Sequence, residues 1–195
     1  MSLTIDKNNI NSKDLDNLIK CASIIDYRID KIYDLSKYTH ITKLEFYSDF
    51  NHCVDNMLPP NITHLIFGWK FNKPVNNLPN NIIELVFGFN FNQSVNNLPQ
   101  TIKILKFIGH FNQSIDNLPQ SLEILHLNSS FNKSIYNLPN TLLEIHLDTI
   151  LFCDNYNINM LPDSIKIIKV NSNNINLRHK ILTSKHRLKL KIGLI

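Results

Sequence analysis

His126 and His146 occupy equivalent places one period apart in a repeating phrase, with Glu144 and Asp148 two residues to either side of the second. Two imidazoles and a carboxylate can hold a divalent metal at about 2.0–2.2 Å. The spacing, however, follows from the repeat itself, and an extended strand leaves both rings in water. His52 beside Cys53 is the other reactive pair, a thiol with an adjacent base. Neighbouring side chains in a turn diverge, and nothing nearby supplies an oxyanion donor. No carboxylate pair falls in a recognisable pocket pattern, and no glycine-rich phosphate loop occurs. The expectation is a chain with no catalytic residue, no metal site and no cofactor.

The elements that would carry these side chains are set by the period. Phe-Asn occurs at Phe50-Asn51, Phe71-Asn72, Phe91-Asn92, Phe111-Asn112 and Phe131-Asn132, with a degraded copy at Phe152-Cys153. Leu-Pro falls at Leu58, Leu78, Leu98, Leu118, Leu138 and Leu161. The spacing is 20 residues through the middle and longer at both ends. A fixed period of this size is the mark of a solenoid, and it is too short for a helical-pair repeat. Between each Leu-Pro and the next Phe stands a short apolar segment, "IIELVF", "IKILKF" or "LEILHL". Its last three positions alternate apolar, variable, apolar, which predicts a half-buried strand. The proline would mark where that strand begins, because it forces extended backbone on the residue before it and cannot donate to a ladder.

One rung illustrates the packing. Ile102, Leu105, Phe107, Phe111, Ile115 and Leu118 should point inward, each contributing roughly 1.5–3 kcal/mol if fully buried. A single rung cannot bury them; a neighbour is needed on each side. Asn112 and its equivalents follow the inward Phe at a bend, where an amide can bond between rungs. Ser94, Ser114 and Ser134 suit the turn that follows.

"THLIFGWKFNKPV", Thr63 to Val75, closely resembles the FNIP repeat, a short leucine-rich-repeat relative of amoebae and their large DNA viruses. The resemblance rests on His64-Leu65, Phe67-Gly68 and Phe71-Asn72 with Pro74 and Val75, and "VFGFNFNQSV" repeats it. It covers roughly residues 41–170. The chain departs from the usual Pro-Gly before Ile-Pro, having Asn-Asn-Leu-Pro instead. The resemblance implies a repeat scaffold. F-box and kinase domains often accompany such repeats, and neither is recognisable here.

The two ends differ in character. Leu15, Leu18, Ile19 and Ala22 fall at helical spacing behind a candidate cap, Ser12, and predict a short amphipathic helix closing the stack at its N-terminal end. At the other end "RLKLKI" predicts a final strand whose basic residues guard an open edge. All 16 acidic residues lie at or before Asp163, so the last 32 residues carry +8 and the rest −4. Three cysteines without metal spacing argue against a disulfide framework, and no apolar run is long enough for a signal peptide or a membrane span.

The reading is therefore a mostly β, single solenoid of about six to seven 20-residue, leucine-rich-repeat-like rungs with short parallel strands. An N-terminal cap with a helix occupies residues 1–39, the repeats 40–171, and a basic cap or tail 172–195. The expected function is protein–protein interaction through the variable strand face, at Ile66, Val86, Lys106, His126, His146 and Lys169. The alternative is polyanion association, with nucleic acid or an acidic membrane surface, through Arg178, Lys180, Lys185, Arg187, Lys189 and Lys191. The chain is expected to be an intracellular monomer with an unknown protein partner.

Overall fold

The computed structural model describes residues 2–5, 15–20, 24–28, 33–148, 158–171, 175–186 and 190–193. Among these, ten strands form one parallel sheet in strict sequence order. Seven come from the repeat: β3 (Lys43–Phe46), β4 (His64–Ile66), β5 (Glu84–Phe87), β6 (Ile104–Phe107), β7 (Ile124–Leu127), β8 (Glu144–Leu147) and β9 (Ile167–Asn171). Two strands precede them, β1 (Ser2–Ile5) and β2 (Ile24–Tyr27), and β10 (Leu190–Gly193) follows. The solenoid fold expected from the period is the one observed.

The inward positions of the sample rung are all buried, from Ile102, Leu105 and Phe107 at 0% to Leu118 at 2% exposure. The phenylalanines do more than fill space. Within a rung, Phe107 stacks on Phe111 at 3.7 Å and Phe87 on Phe91 at 3.7 Å. Between rungs, Phe71, Phe91, Phe111 and Phe131 follow one another at 6.1 Å, their planes within 10°. Two columns of rings thus run along the stack. One column runs from Tyr27 through Phe46, Phe67 and Phe87 to Phe107 and gives way to Leu127, while Phe131 carries on the other.

The Asn column bonds from rung to rung. The side-chain oxygen of Asn51 accepts the backbone N–H of Asn72 at 2.9 Å. The same bond joins Asn72 to Asn92 (3.0 Å), Asn92 to Asn112 (2.9 Å) and Asn112 to Asn132 (2.9 Å). Gln93 and Gln113 donate to the Asn72 and Asn92 oxygens as well. Half-buried N–H groups at the bend would otherwise lack acceptors, so each bond contributes about 0.5–1.5 kcal/mol net. Ser94, Ser114 and Ser134 accept from the backbone two residues on, as turn serines do. A further column was not anticipated. The hydroxyls of Thr101, Ser121 and Thr141 each lie 2.8 Å from a carbonyl oxygen of the preceding rung.

Three expectations need correction. Proline opens a turn, not the strand: Pro99, Pro119 and Pro139 accept from the third residue on, at 3.3, 3.1 and 3.1 Å. The strands β6, β7 and β8 begin five residues after their prolines. The N-terminal helix, α1 (Leu15–Lys20), is the connection between β1 and β2, and β1 forms the edge. Ile19 is buried but Leu18 is 36% exposed, because six residues make too few turns to lay down a full apolar stripe. Asp16 fastens α1 through Tyr33, Tyr38 and Lys37, and these hydrogen bonds hold its carboxyl down at about 2. Ser12, Ala22, Cys21, Cys153 and the degraded Phe152 copy lie outside the described residues. Third, the segment expected as a cap ahead of the repeats, residues 1–39, itself contributes β1 and β2 to the sheet.

Candidate functional site

Strand registry builds the outward face. Side chains alternate across a strand, so the middle position of each repeat strand points away from the core. Glu45, Ile66, Val86, Lys106, His126, His146 and Lys169 are successive register partners, but Val86, expected as a contact residue, is buried at 6% exposure and offers a partner little surface. Asp26 extends this column at one end and Lys191 at the other. A second outward column lies two residues earlier on each strand: Lys43, His64, Glu84, Ile104, Ile124 and Glu144.

The two columns neutralise each other in part. Lys106 bonds Glu84 diagonally at 2.7 Å, and Lys169 bonds Glu144 at 2.6 Å. His126 Nε2 meets Asp148 at 2.6 Å, and His146 Nε2 meets Glu144 at 2.5 Å. The face therefore carries less free positive charge than its central column suggests. The imidazoles are 5.1 Å apart and only 18% and 16% exposed, not standing in water as expected. Each covers the other, and flanking carboxylates cover both. They point to different carboxylates and do not converge. Among the described residues no group of three or more His, Cys, Asp or Glu side chains is placed to hold a metal. Cys53 is exposed, and the His52 ring makes a T-shaped contact with Phe50 at 5.7 Å.

Burial pushes the His146 pKa down, helped by His126 and Lys169 and opposed by Glu144. Its Nδ1 is buried without a partner, so a proton there would be an N–H with no acceptor. Burial also disfavours charge on Glu144, but hydrogen bonds from Lys169 and His146 outweigh it and hold that carboxyl low. A depressed histidine pKa means the unfolded chain binds the proton more readily. The stability His146 contributes is complete above its ordinary value of 6.5 and is lost as pH falls through the window below it. Thermal midpoints measured from pH 8 down to pH 5.5 will fall, and His146→Gln will flatten that slope; equal slopes would refute the assignment.

Of the basic residues of the C-terminal segment, Arg178, Lys180, Lys185 and Lys191 fall among the described residues. Arg178 and Lys180 lie on α2 (Ile175–Leu182), between β9 and β10. Lys185 bonds Asp163 at 2.7 Å. Lys191 stands beside Lys169 in the sheet register, whereas Arg187 and Lys189 fall outside the described residues.

One feature of the face escaped sequence reasoning. Just past the C-terminal ends of β3 to β6, Tyr47, Trp69 and Ile108 are 53%, 56% and 58% exposed. Trp69 stacks on Phe89 at 4.5 Å, and Phe89 makes a T-shaped contact with His110 at 4.2 Å. Tyr47, Trp69, Phe89 and Ile108 border, with Ile66, an open cavity of about 270 Å³, beside Glu45 and over Gly68 and Gly88. The available signal was the chain's one Trp, standing where the neighbouring rung has Ser48.

Among the described residues no helix is long and apolar enough to cross a membrane. Curated proteins give no match to the chain. A solved structure does: CroV588 of a giant virus, described as a novel circular leucine-rich-repeat protein. It is 30% identical over 78% of this chain, with a TM-score of 0.66, and the chain spans 24% of that protein's length. The FNIP repeat family model matches residues 39–70, 53–77, 71–110 and 111–149, more than half the chain in all. With the repeat's Phe and Asn columns forming the spine of the stack, the chain belongs to the FNIP repeat family.

Proposed function

We propose that the chain is a non-catalytic scaffold that binds a protein partner through the outward strand face. The observation that carries this reading is the central column, Glu45 to Lys169, in which chemistry changes from rung to rung while the frame stays fixed. Solenoids present such surfaces for recognition. The double variant Lys106→Glu/Lys169→Glu tests it. Both lysines are partly exposed, so the fold should survive, with a lowered thermal midpoint because each reversal sets a carboxylate against Glu84 or Glu144. Proteins captured from the native cell should change between wild type and variant. An unchanged set, with circular dichroism intact, would count against this face. The adjacency of Lys169 and Lys191 favours polyanion association as the second reading; salt-sensitive heparin retention with unchanged protein capture would select it.

A further inference from the structure

The apolar shelf beyond β3 to β6 has no partner among the described residues. Its floor is backbone, because Gly68 and Gly88 present no side chain between Tyr47 on one flank and Ile108 on the other. Trp69, backed by Phe89, supplies a wall, and Ile66 continues the apolar surface onto the sheet. Large side chains exposed together in this way are costly in water and mark a contact surface. The space, about 270 Å³, suits one large apolar side chain.

Charge identifies what accompanies that side chain. Glu45 is the one charged residue lining the cavity; it is exposed and has no ion pair among the described residues. Next to it, the Arg28 guanidinium lies 5.7 Å over the Tyr47 ring while bonded to Asp26 at 2.7 Å. The Tyr47 face thus already accepts a cation. The Arg28–Asp26 pair is neutral in sum, which leaves Glu45 as the net charge at the rim, and apolar walls with one net negative charge are complementary to an apolar residue next to a basic one.

We propose that this shelf is a docking site for an extended protein segment carrying a bulky apolar side chain beside a lysine or arginine. The apolar group seats over Gly68 and Gly88, and the basic group meets Glu45. This rests on the reading of the strand face as protein-binding and names the chemistry of the partner on its β3–β6 half.

Trp69 is the chain's only tryptophan, so its emission reports this place alone. The probe is a capped serine–glycine heptapeptide with a central leucine preceded by lysine. Control peptides replace the lysine with glutamate or the leucine with alanine. Titrated past ~1 mM, the upper bound expected for the dissociation constant, the lysine–leucine peptide should shift Trp69 emission to the blue. The glutamate peptide should bind about two- to fivefold more weakly, as for one exposed ion pair. Glu45→Gln should erase that preference, and Ile108→Ser should weaken both leucine peptides. No shift with any peptide, equal binding of the lysine and glutamate peptides, or equal binding of the alanine control would overturn the proposal. So would a dimer in sedimentation that Ile108→Ser abolishes, since a second copy would then occupy the shelf. Lys106 and Lys169 do not line the cavity, so the capture experiment can fail while the peptide binds, or succeed while it does not.

Discussion

Phe111→Ala will destabilise the protein by about 3–5 kcal/mol. The ring is 1% exposed and stacks on Phe107 at 3.7 Å. It also lies 6.1 Å from Phe91 on one side and from Phe131 on the other. Truncation therefore removes contacts within its own rung and with both neighbouring rungs. Backbone ladders above and below hold the walls apart, so the cavity cannot collapse freely. Neighbour contacts are what couple rungs in a solenoid. The urea transition should accordingly broaden as well as shift, as the halves on either side of β6 begin to unfold apart. The control is Asn97→Ala, at an exposed turn where the amide reaches Asn76 at 3.3 Å. That change should stay within about 0.5 kcal/mol. Comparable losses at the two positions would mean that the ring columns do not hold the stack together.

How much of this was legible in the sequence depends on what each feature obeys. Period and alternation set the register. The column from Glu45 to Lys169 could therefore be read from spacing alone, as could the inward Phe and the Asn at the bend. β1 and β2 carry neither Phe-Asn nor Leu-Pro. They join by backbone pairing, with Ile25 and Tyr27 buried and the Tyr27 ring 5.3 Å from Phe46. A four-residue strand outside the repeat leaves too short a pattern to identify. The diagonal pairs Lys106–Glu84 and Lys169–Glu144 depend on how far a long side chain reaches across two columns, which register does not fix. The shelf was missed for a related reason. Trp69 and Phe89 lie beyond the strands, where a period of two no longer says which way a side chain points.

The glycines of the shelf lead to the second large effect. Gly88→Ala will destabilise the protein by about 3 kcal/mol or more, beyond the usual cost of one added methyl group in a packed site. A Cβ at Gly88 would lie 2.1 Å from the Gly68 carbonyl oxygen and 2.5 Å from its carbon. Both obstacles are backbone, so no side chain can swing aside. Relief requires β4 and β5 to separate at their C-terminal ends, which strains the 2.9 Å bond from the Phe67 N–H to the Val86 oxygen. It also tilts the Phe67–Phe87 pair, now 5.6 Å apart and nearly parallel. Ser129→Ala, in a turn two rungs on, is the control, because that position already carries an exposed side chain and should change by about 0.5 kcal/mol or less. Thermal unfolding of the two variants beside wild type decides the matter. A Gly88→Ala midpoint as high as that of Ser129→Ala would show that the rungs can spread without loss, and that these glycines serve the shelf's open floor alone.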